Sequence, residues 1–313
     1  MYIGIDVGGT KCALIAAEKT EENCRMMERV AFPTGSLEEA LEKFYAGIEM
    51  LIEKYGPCEG IGISCGGPLN ERTGMILSPP NLPGWDEVPI VKLMEERFGV
   101  PTKLRNDANA CALAEWRFGA GQGTTNMVFL TCGTGMGAGL ILNGQLYAGT
   151  DGNAGEVGHI RLAEYGPSGY GKSGSFEGFC SGGGIALVGQ MLAREKIQQG
   201  HPAPFCPTLA DLPHITAKML AEYANGGDET ALEVWRIVGE KLGQGISIII
   251  DMLNPEAIVI GSVFARSGEL MREAMEKVIK REALFFSADA CRILPAALGD
   301  QIGDYAAVAA AME

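Results

Sequence analysis

Four short stretches carry residue types that could do chemistry. Asp6-Val7-Gly8-Gly9-Thr10-Lys11 joins two apolar runs, residues 2–6 and 12–17, and reads as the glycine tip of a β-hairpin. Glycines without a Cβ let backbone N–H groups approach a phosphate. Thr10 adds a hydroxyl donor, and Asp6 at the strand end can hold a hydrated Mg²⁺. An ordinary hairpin turn with an exposed Lys11 explains the same residues, so this stretch leaves both readings open. Asn106-Asp107-Ala108-Asn109 opens a helix. Asp107 is there either as the helix cap or as a carboxylate able to take a proton from an attacking hydroxyl, and spacing does not choose.

Thr131-Cys132-Gly133-Thr134-Gly135-Met136-Gly137-Ala138-Gly139 superficially matches a dinucleotide fingerprint. That fingerprint needs a following helix to receive the pyrophosphate. Here a strand and an Asn143-Gly144 turn follow instead, so the dinucleotide reading is rejected. A second glycine hairpin matching the first suits two jaws on one polyphosphate; small residues that merely permit close strand packing are the alternative. The fourth stretch, Gly149 to His159 with Glu177 beyond it, offers Glu156, His159 and Glu177 as partners for a polyol. A solvated loop with an incidental His is the competing reading.

These residues must be positioned by something. Ser36 to Tyr55 has apolar residues at the spacing of one helical face, a Ser36/Glu39 capping box and a Gly56 stop. Strands are expected at Ile61–Ser64, Thr102–Arg105, Asn126–Thr131, Leu140–Leu142, Gln145–Tyr147, Ala257–Ile260 and Arg292–Leu294. Helices are expected from Asn106 to about Phe118, over Thr230–Leu253 and Gly268–Lys280, and after Gly299. The segments Gly66–Pro89 and Gly149–Gly184 read as long loops, which are usually functional. Alternating strands and helices give an α/β fold. The two glycine turns suggest two similar halves facing a cleft. The expected division is a small α/β domain over residues 1–118, with a terminal helix at about 300–313 packing back on it, and a large α/β domain over 119–299.

At 313 residues the chain has room for about two domains, and its 47% apolar content excludes intrinsic disorder. It has 44 glycines, about twice the usual share, without a collagen period. A net charge of −14 argues against tracking a nucleic-acid backbone or an anionic membrane. Nine cysteines with no CxxC pair read as reduced thiols of a cytosolic protein. Met1 to Asp6 already resembles a core strand, so no signal peptide is expected. The most apolar window, Gly245–Ala265, is broken by Asp251, Asn254, Pro255 and Glu256 and is not expected to span a bilayer. The expectation is a soluble, cytoplasmic protein.

Taken in order, Asp-Val-Gly-Gly-Thr-Lys, Asn-Asp-Ala-Asn-Ala, Gly-Thr-Gly-Met-Gly-Ala-Gly and Ala-Gly-Glu-Val-Gly-His resemble the ROK family of repressors and sugar kinases. Ser181-Gly182 and Asn254-Pro255 before Ile258-Val259-Ile260-Gly261 fit its later motifs. The resemblance covers nearly the whole chain. It implies the two-domain actin-like ATPase (ribonuclease H-like) fold closing on ATP-Mg and a sugar, with phosphoryl transfer to a hexose hydroxyl. It further implies Asp107 as general base, and Gly8, Gly9, Thr10, Lys11, Gly133, Thr134 and Gly135 as phosphate cradles. Asp6 would act on Mg²⁺ through water. Gly67, Asn81, Asn106, Glu156, His159 and Glu177 would meet the sugar, and Gly261 would face the adenosine. A cytoplasmic homo-oligomer, most simply a dimer, is implied by resemblance alone.

Two departures stand out. Many members carry three Cys after the Gly-His that bind a structural zinc with that His. Here Ser168, Tyr170 and Ser175 replace them, and neutral hydroxyls are poor zinc ligands, so no zinc is expected. Ser262 stands where a Gly is common after Gly261. The rival readings are a sugar-responsive regulator of the same family and a catalytically weak sugar-binding protein. A regulator needs a helix-turn-helix and a basic face; with the first hairpin at Val7 and an acidic chain, neither is expected here.

Overall fold

The computed structural model describes residues 1–21 and 23–313. Its elements run β1 (Tyr2–Val7), β2 (Lys11–Lys19), β3 (Cys24–Pro33), α1 (Leu37–Tyr55), β4 (Gly60–Cys65), β5 (Leu69–Asn70), β6 (Met75–Ile76), α2 (Ile90–Phe98), β7 (Thr102–Asn106) and α3 (Asp107–Phe118). Then come β8 (Met127–Cys132), β9 (Met136–Leu142), β10 (Gln145–Tyr147), β11 (Ser168–Gly169), β12 (Lys172–Ser173), α4 (Phe176–Cys180), α5 (Gly182–Gln198), α6 (Ala217–Asn225) and α7 (Glu229–Leu253). The last are β13 (Ala257–Ile260), α8 (Val263–Ser267), α9 (Glu269–Glu282), α10 (Phe285–Ala290), β14 (Arg292–Pro295) and α11 (Ile302–Ala311). The chain divides into two compact units. One holds Met1–Thr125, Gly139–Ala154 and Ala297–Glu313; the other holds Asn126–Ala138 and Gly155–Ala296.

The first unit is built on a sheet of order β3-β2-β1-β4-β7. β1 and β2 are antiparallel, while β4 and β7 run parallel to β1 and to each other. On one face α1 buries Ala40, Phe44, Ile48 and Leu51, which join Ile3, Ile5, Ile61, Ile63 and Trp85 in one apolar cluster. Both halves of its capping box form, at 3.3 Å from Glu39 N to Ser36 Oγ and 3.1 Å from Ser36 N to the Glu39 carboxylate. The other face is packed differently. A Cβ on Gly62 would lie 2.1 Å from Ala311 N and 2.2 Å from Ala307 O, and one on Gly4 would lie 2.8 Å from Ala307 Cβ. Glycine in these strands and alanine in α11 together let helix backbone lie almost directly on strand backbone. The β9–β10 hairpin turns through Asn143 and Gly144, both left-handed, as its Asn-Gly pair dictates.

The second unit repeats part of that plan. Strands β8-β13-β14, all parallel, lie in the order that β1-β4-β7 take in the first. All four residues of β13 are buried, as expected of a parallel strand covered on both faces. The 25-residue helix α7 starts on Asp228, whose carboxylate accepts Ala231 N–H at 2.8 Å, and stops at Asn254 in the left-handed region. Gly239 and Gly243 let it approach α9, since a Cβ at either would lie 2.5 or 2.6 Å from a carbonyl of that helix. Among the described residues no helix is long and apolar enough to cross a membrane.

The long-loop expectation for residues 149–184 is corrected in part. That segment contains β11, β12, α4 and the start of α5. Ser181 caps α5 by accepting Gly184 N–H at 3.0 Å. A Cβ on Gly184 would stand 2.5 Å from the carbonyls of Glu177 and Gly178. Gly184 therefore sits in the first turn of a helix, against its low helix propensity, because a Cβ there would collide with the turn of α4, and a Cβ on Gly182 would lie 3.0 Å from Gly133 O. The strand β3 and the helix α2 also form where no element was read.

Candidate functional site

In the first unit the candidate residues gather at the carboxyl ends of the parallel strands, where open α/β sheets bind ligands. Val7 pairs with Cys65, and Cys65 with Asn106, so the ends of β1, β4 and β7 lie level. The turn after β1 is closed by Gly8 N–H to Lys11 O at 3.1 Å, and Thr34 Oγ1 donates to Gly8 O at 2.6 Å. Gly9, Thr10 and Lys11 are exposed at its tip. Gly9 lies against Asn81: a Cβ there would be 2.6 Å from Asn81 O. The loop carrying Asn81 is pinned by Trp85, wholly buried and packed edge-on to Phe44 at 6.5 Å between ring centres. A Cβ on Gly67 would lie 3.4 Å from Asn106 Nδ2. Gly9 with Asn81, and Gly67 with Asn106, are thus brought together.

Asp107 is the first residue of α3, and the capping is done by its neighbour. Asn106 Oδ1 accepts Ala108 N–H at 3.0 Å, while Asp107 Oδ1 shares that donor at 2.8 Å. No hydrogen bond to another side chain holds the Asp107 carboxylate among the described residues. The side chain is reachable by solvent, yet the surrounding protein pushes its pKa up, offset in part by the N–H groups of Ala108 and of Asp107 itself. An accessible carboxylate with a raised pKa suits proton transfer better than capping. Asp6 is also pushed up, first by burial and then by the carboxylate of Asp304, with Arg29 and Lys11 opposing and Asp107 adding a smaller upward push. A hard oxygen donor under that strain fits a divalent cation.

Sequence reasoning missed Glu71. Its carboxylate accepts from Asn106 N, Asn109 Nδ2 and Arg105 Nη1 at 2.8–3.0 Å. It stands in a turn with no motif around it, so nothing in the sequence marks it.

In the second unit, the turn Gly133-Thr134-Gly135 sits between β8 and β9, with Thr134 and Gly135 exposed. Glu177 Oε2 accepts Met136 N–H at 2.9 Å, and a Cβ on Gly135 would stand 3.0 Å from the same oxygen. Gly182 N–H, in the first turn of α5, donates to Gly133 O at 2.8 Å. Glu177 is thereby a strut of the glycine turn. Glu156 and His159 are exposed on either side of Gly158, whose own Cβ would be 2.3 Å from Met136 O. Gly261 is buried beside Phe129, and its N–H is bonded to Leu130 O at 2.9 Å. The next residue, Ser262, holds φ at +53°, a conformation that explains why glycine suits this position.

A zinc site does not fit the 166–180 segment. Ser175 Oγ is buried and accepts the N–H groups of Gly169 and Gly178 at 3.2 and 3.1 Å. Tyr170 is 85% exposed and meets the His159 ring edge-on at 5.4 Å. Lys172 Nζ donates to His159 O at 2.6 Å, and Ser173 Oγ to Gly166 O at 3.0 Å. Hydroxyls, the Lys172 ammonium, the Arg161 guanidinium and backbone hydrogen bonds hold this loop. Among the described residues no group of three or more His, Cys, Asp or Glu is placed to hold a metal.

Two α/β units sharing a strand order, each with a glycine turn leading its sheet, define an actin-like ATPase fold. The ROK family pattern matches residues 2–313, and the chain belongs to that family. A glucokinase of Halalkalibacterium halodurans is 32% identical over 311 residues, covering 96% of this chain and 92% of that protein. The structure of a ROK family glucokinase from Streptomyces griseus in complex with glucose and AMPPNP is similar, with a TM-score of 0.73, 29% identity and 99% of each chain covered. The Escherichia coli DNA-binding transcriptional dual regulator NagC is 33% identical over 196 residues, 62% of this chain and 46% of that protein.

Proposed function

We propose that this protein transfers the γ-phosphoryl group of ATP to a hydroxyl of a hexose or hexose derivative, with Asp107 as general base. The observation that carries the reading is the Asp107 carboxylate at the carboxyl end of β7, reachable by solvent and bonded to no other side chain among the described residues, with Asn106 as the cap of α3. That carboxylate takes the proton of the attacking hydroxyl, and its raised pKa makes it a stronger base than an ordinary aspartate. The turn of Gly8, Gly9, Thr10 and Lys11, with the N–H groups of Gly9 and Thr10 at its tip, and the N–H groups of Gly133 to Gly135 beside the first turn of α5, cradle phosphate oxygens. Asp6 would hold a hydrated Mg²⁺, whose charge would offset the negative charge of the transferring phosphoryl group. Gly67, Asn81, Asn106, Glu156, His159 and Glu177 position the sugar. Gly261 and Ser262 lie toward the adenosine.

The glucokinase relatives and the glucose–AMPPNP complex support a sugar and a nucleotide as the two substrates. The net charge of −14 favours the kinase reading over the regulator reading that NagC raises. The test is sugar-dependent ADP release across a panel of glucose, fructose, mannose, allose and the N-acetylated hexosamines. One sugar should stand at least tenfold above the rest, and no sugar-dependent ADP from any of them would defeat the proposal.

A further inference from the structure

Glu71 lies in the turn that links β5 to β6, where Asn70 Oδ1 accepts the N–H groups of Arg72 and Thr73 at 3.1 and 3.0 Å and fixes the chain on either side of it. Its side chain is only 5% exposed. One carboxylate oxygen accepts Asn106 N–H at 2.8 Å and Asn109 Nδ2 at 2.9 Å; the other accepts Arg105 Nη1 at 3.0 Å. Arg105 is held in turn by two 2.7 Å bonds to Glu313. The three groups that Glu71 grips come from residues 105, 106 and 109, which bracket Asp107. A buried ion pair is a poor device for stability, because desolvation cancels much of its attraction; what it fixes well is geometry.

No hydrogen bond joins Glu71 to Asp107 among the described residues. The causes of the shifted Asp107 titration are burial and two backbone N–H groups, and the charge on Glu71 is not among them. What Glu71 holds is the chain on either side of Asp107.

We infer that Glu71 is the positioning residue of the general base: by clamping Asn106 and Asn109 it fixes the start of α3 and so the carboxylate of Asp107. The inference rests on the reading of Asp107 as base. A misplacement of about 1 Å in such a group costs about a hundredfold in turnover.

The experiment is a double-mutant cycle with Glu71→Ala, Asp107→Asn and both together. ADP release is read at saturating ATP and the best sugar of the panel, at least 15 °C below each variant's melting temperature. Glu71→Ala should lower kcat about 10- to 100-fold with the sugar KM within about threefold, and the acid limb of its pH–rate profile should stay where it is in the wild type. In the Asp107→Asn background the same change should cost less than about twofold, because the group it positions is already gone. Glu71→Gln keeps an oxygen for Asn106 N–H, so it serves if the Ala variant does not fold. Its smaller loss should vanish in the same background. A Glu71 effect of equal size in both backgrounds overturns the inference and leaves the base intact. Wild-type turnover by Asp107→Asn alone defeats the base itself, a separate and distinguishable result.

Discussion

Gly62→Ala puts the close seat of α11 on β4 to the test. The new methyl would meet Ala311 N at 2.1 Å and Ala307 O at 2.2 Å, where ordinary contact begins at 3.4 Å. The helix would have to retreat by more than about 1 Å, and both obstructing atoms are backbone that cannot rotate aside. Overpacking typically costs about 1–3 kcal/mol, and a clash between two rigid backbones belongs at about 3. For a unit of this size that is a fall of about 6–12 °C in the melting temperature. The retreat would also pull Glu313 from Arg105, loosening the clamp on Asn106 through Glu71. The control is Gly99→Ala, left-handed at +66° with nothing within 4 Å of its Cβ, where only backbone strain of about 1 kcal/mol applies. Differential scanning calorimetry on the two variants separates the effects. A Gly62→Ala protein that melts no lower than the Gly99→Ala control would refute the packing argument.

Gly9→Ala drives a methyl to 2.6 Å from Asn81 O, so the ATP KM and the sugar KM should both rise about tenfold or more in steady-state kinetics. Ser175→Ala strips the acceptor from two buried N–H groups and should cost about 2 kcal/mol by urea denaturation, whereas a zinc chelator should leave the wild-type melting temperature unchanged. Asp107→Asn should stabilise the fold at pH 7. The folded-state pKa of Asp107 lies above its ordinary 3.8, so the folded protein binds the proton more tightly and loses stability as pH rises from that value through the folded pKa. The gain from the neutral Asn should be larger at pH 7 than at acid pH, shrink as pH falls through the folded pKa, and be gone below about pH 4; thermal melts across pH 3–8 read it directly.

Local signals carried much of the fold. Ser36 with Glu39, the apolar stripe down to Tyr55 and Gly56 mark α1 to the residue, and the Asn143-Gly144 pair marks its hairpin. Ala257–Ile260 is legible because a fully buried strand has no polar alternation to confuse. β3 is not: in Cys24–Pro33 an edge position on β2 lets charged and apolar residues share both faces. The start of α5 is hidden because the packing that demands Gly184 comes from α4, which no local pattern reveals. The candidate site follows the same rule. Its motif residues announce themselves by glycine spacing, whereas the division of labour between Asn106 and Asp107 depends on backbone angles at a strand end. Glu71 depends on a contact across 35 residues and leaves no trace in sequence.

The most direct measurement is turnover by Asp107→Asn beside the wild type, with sugar affinity read separately by calorimetry. The account predicts that sugar-dependent ADP release falls about a hundredfold or more while the sugar still binds within about threefold of its original strength. A variant that phosphorylates its sugar at the wild-type rate would contradict it.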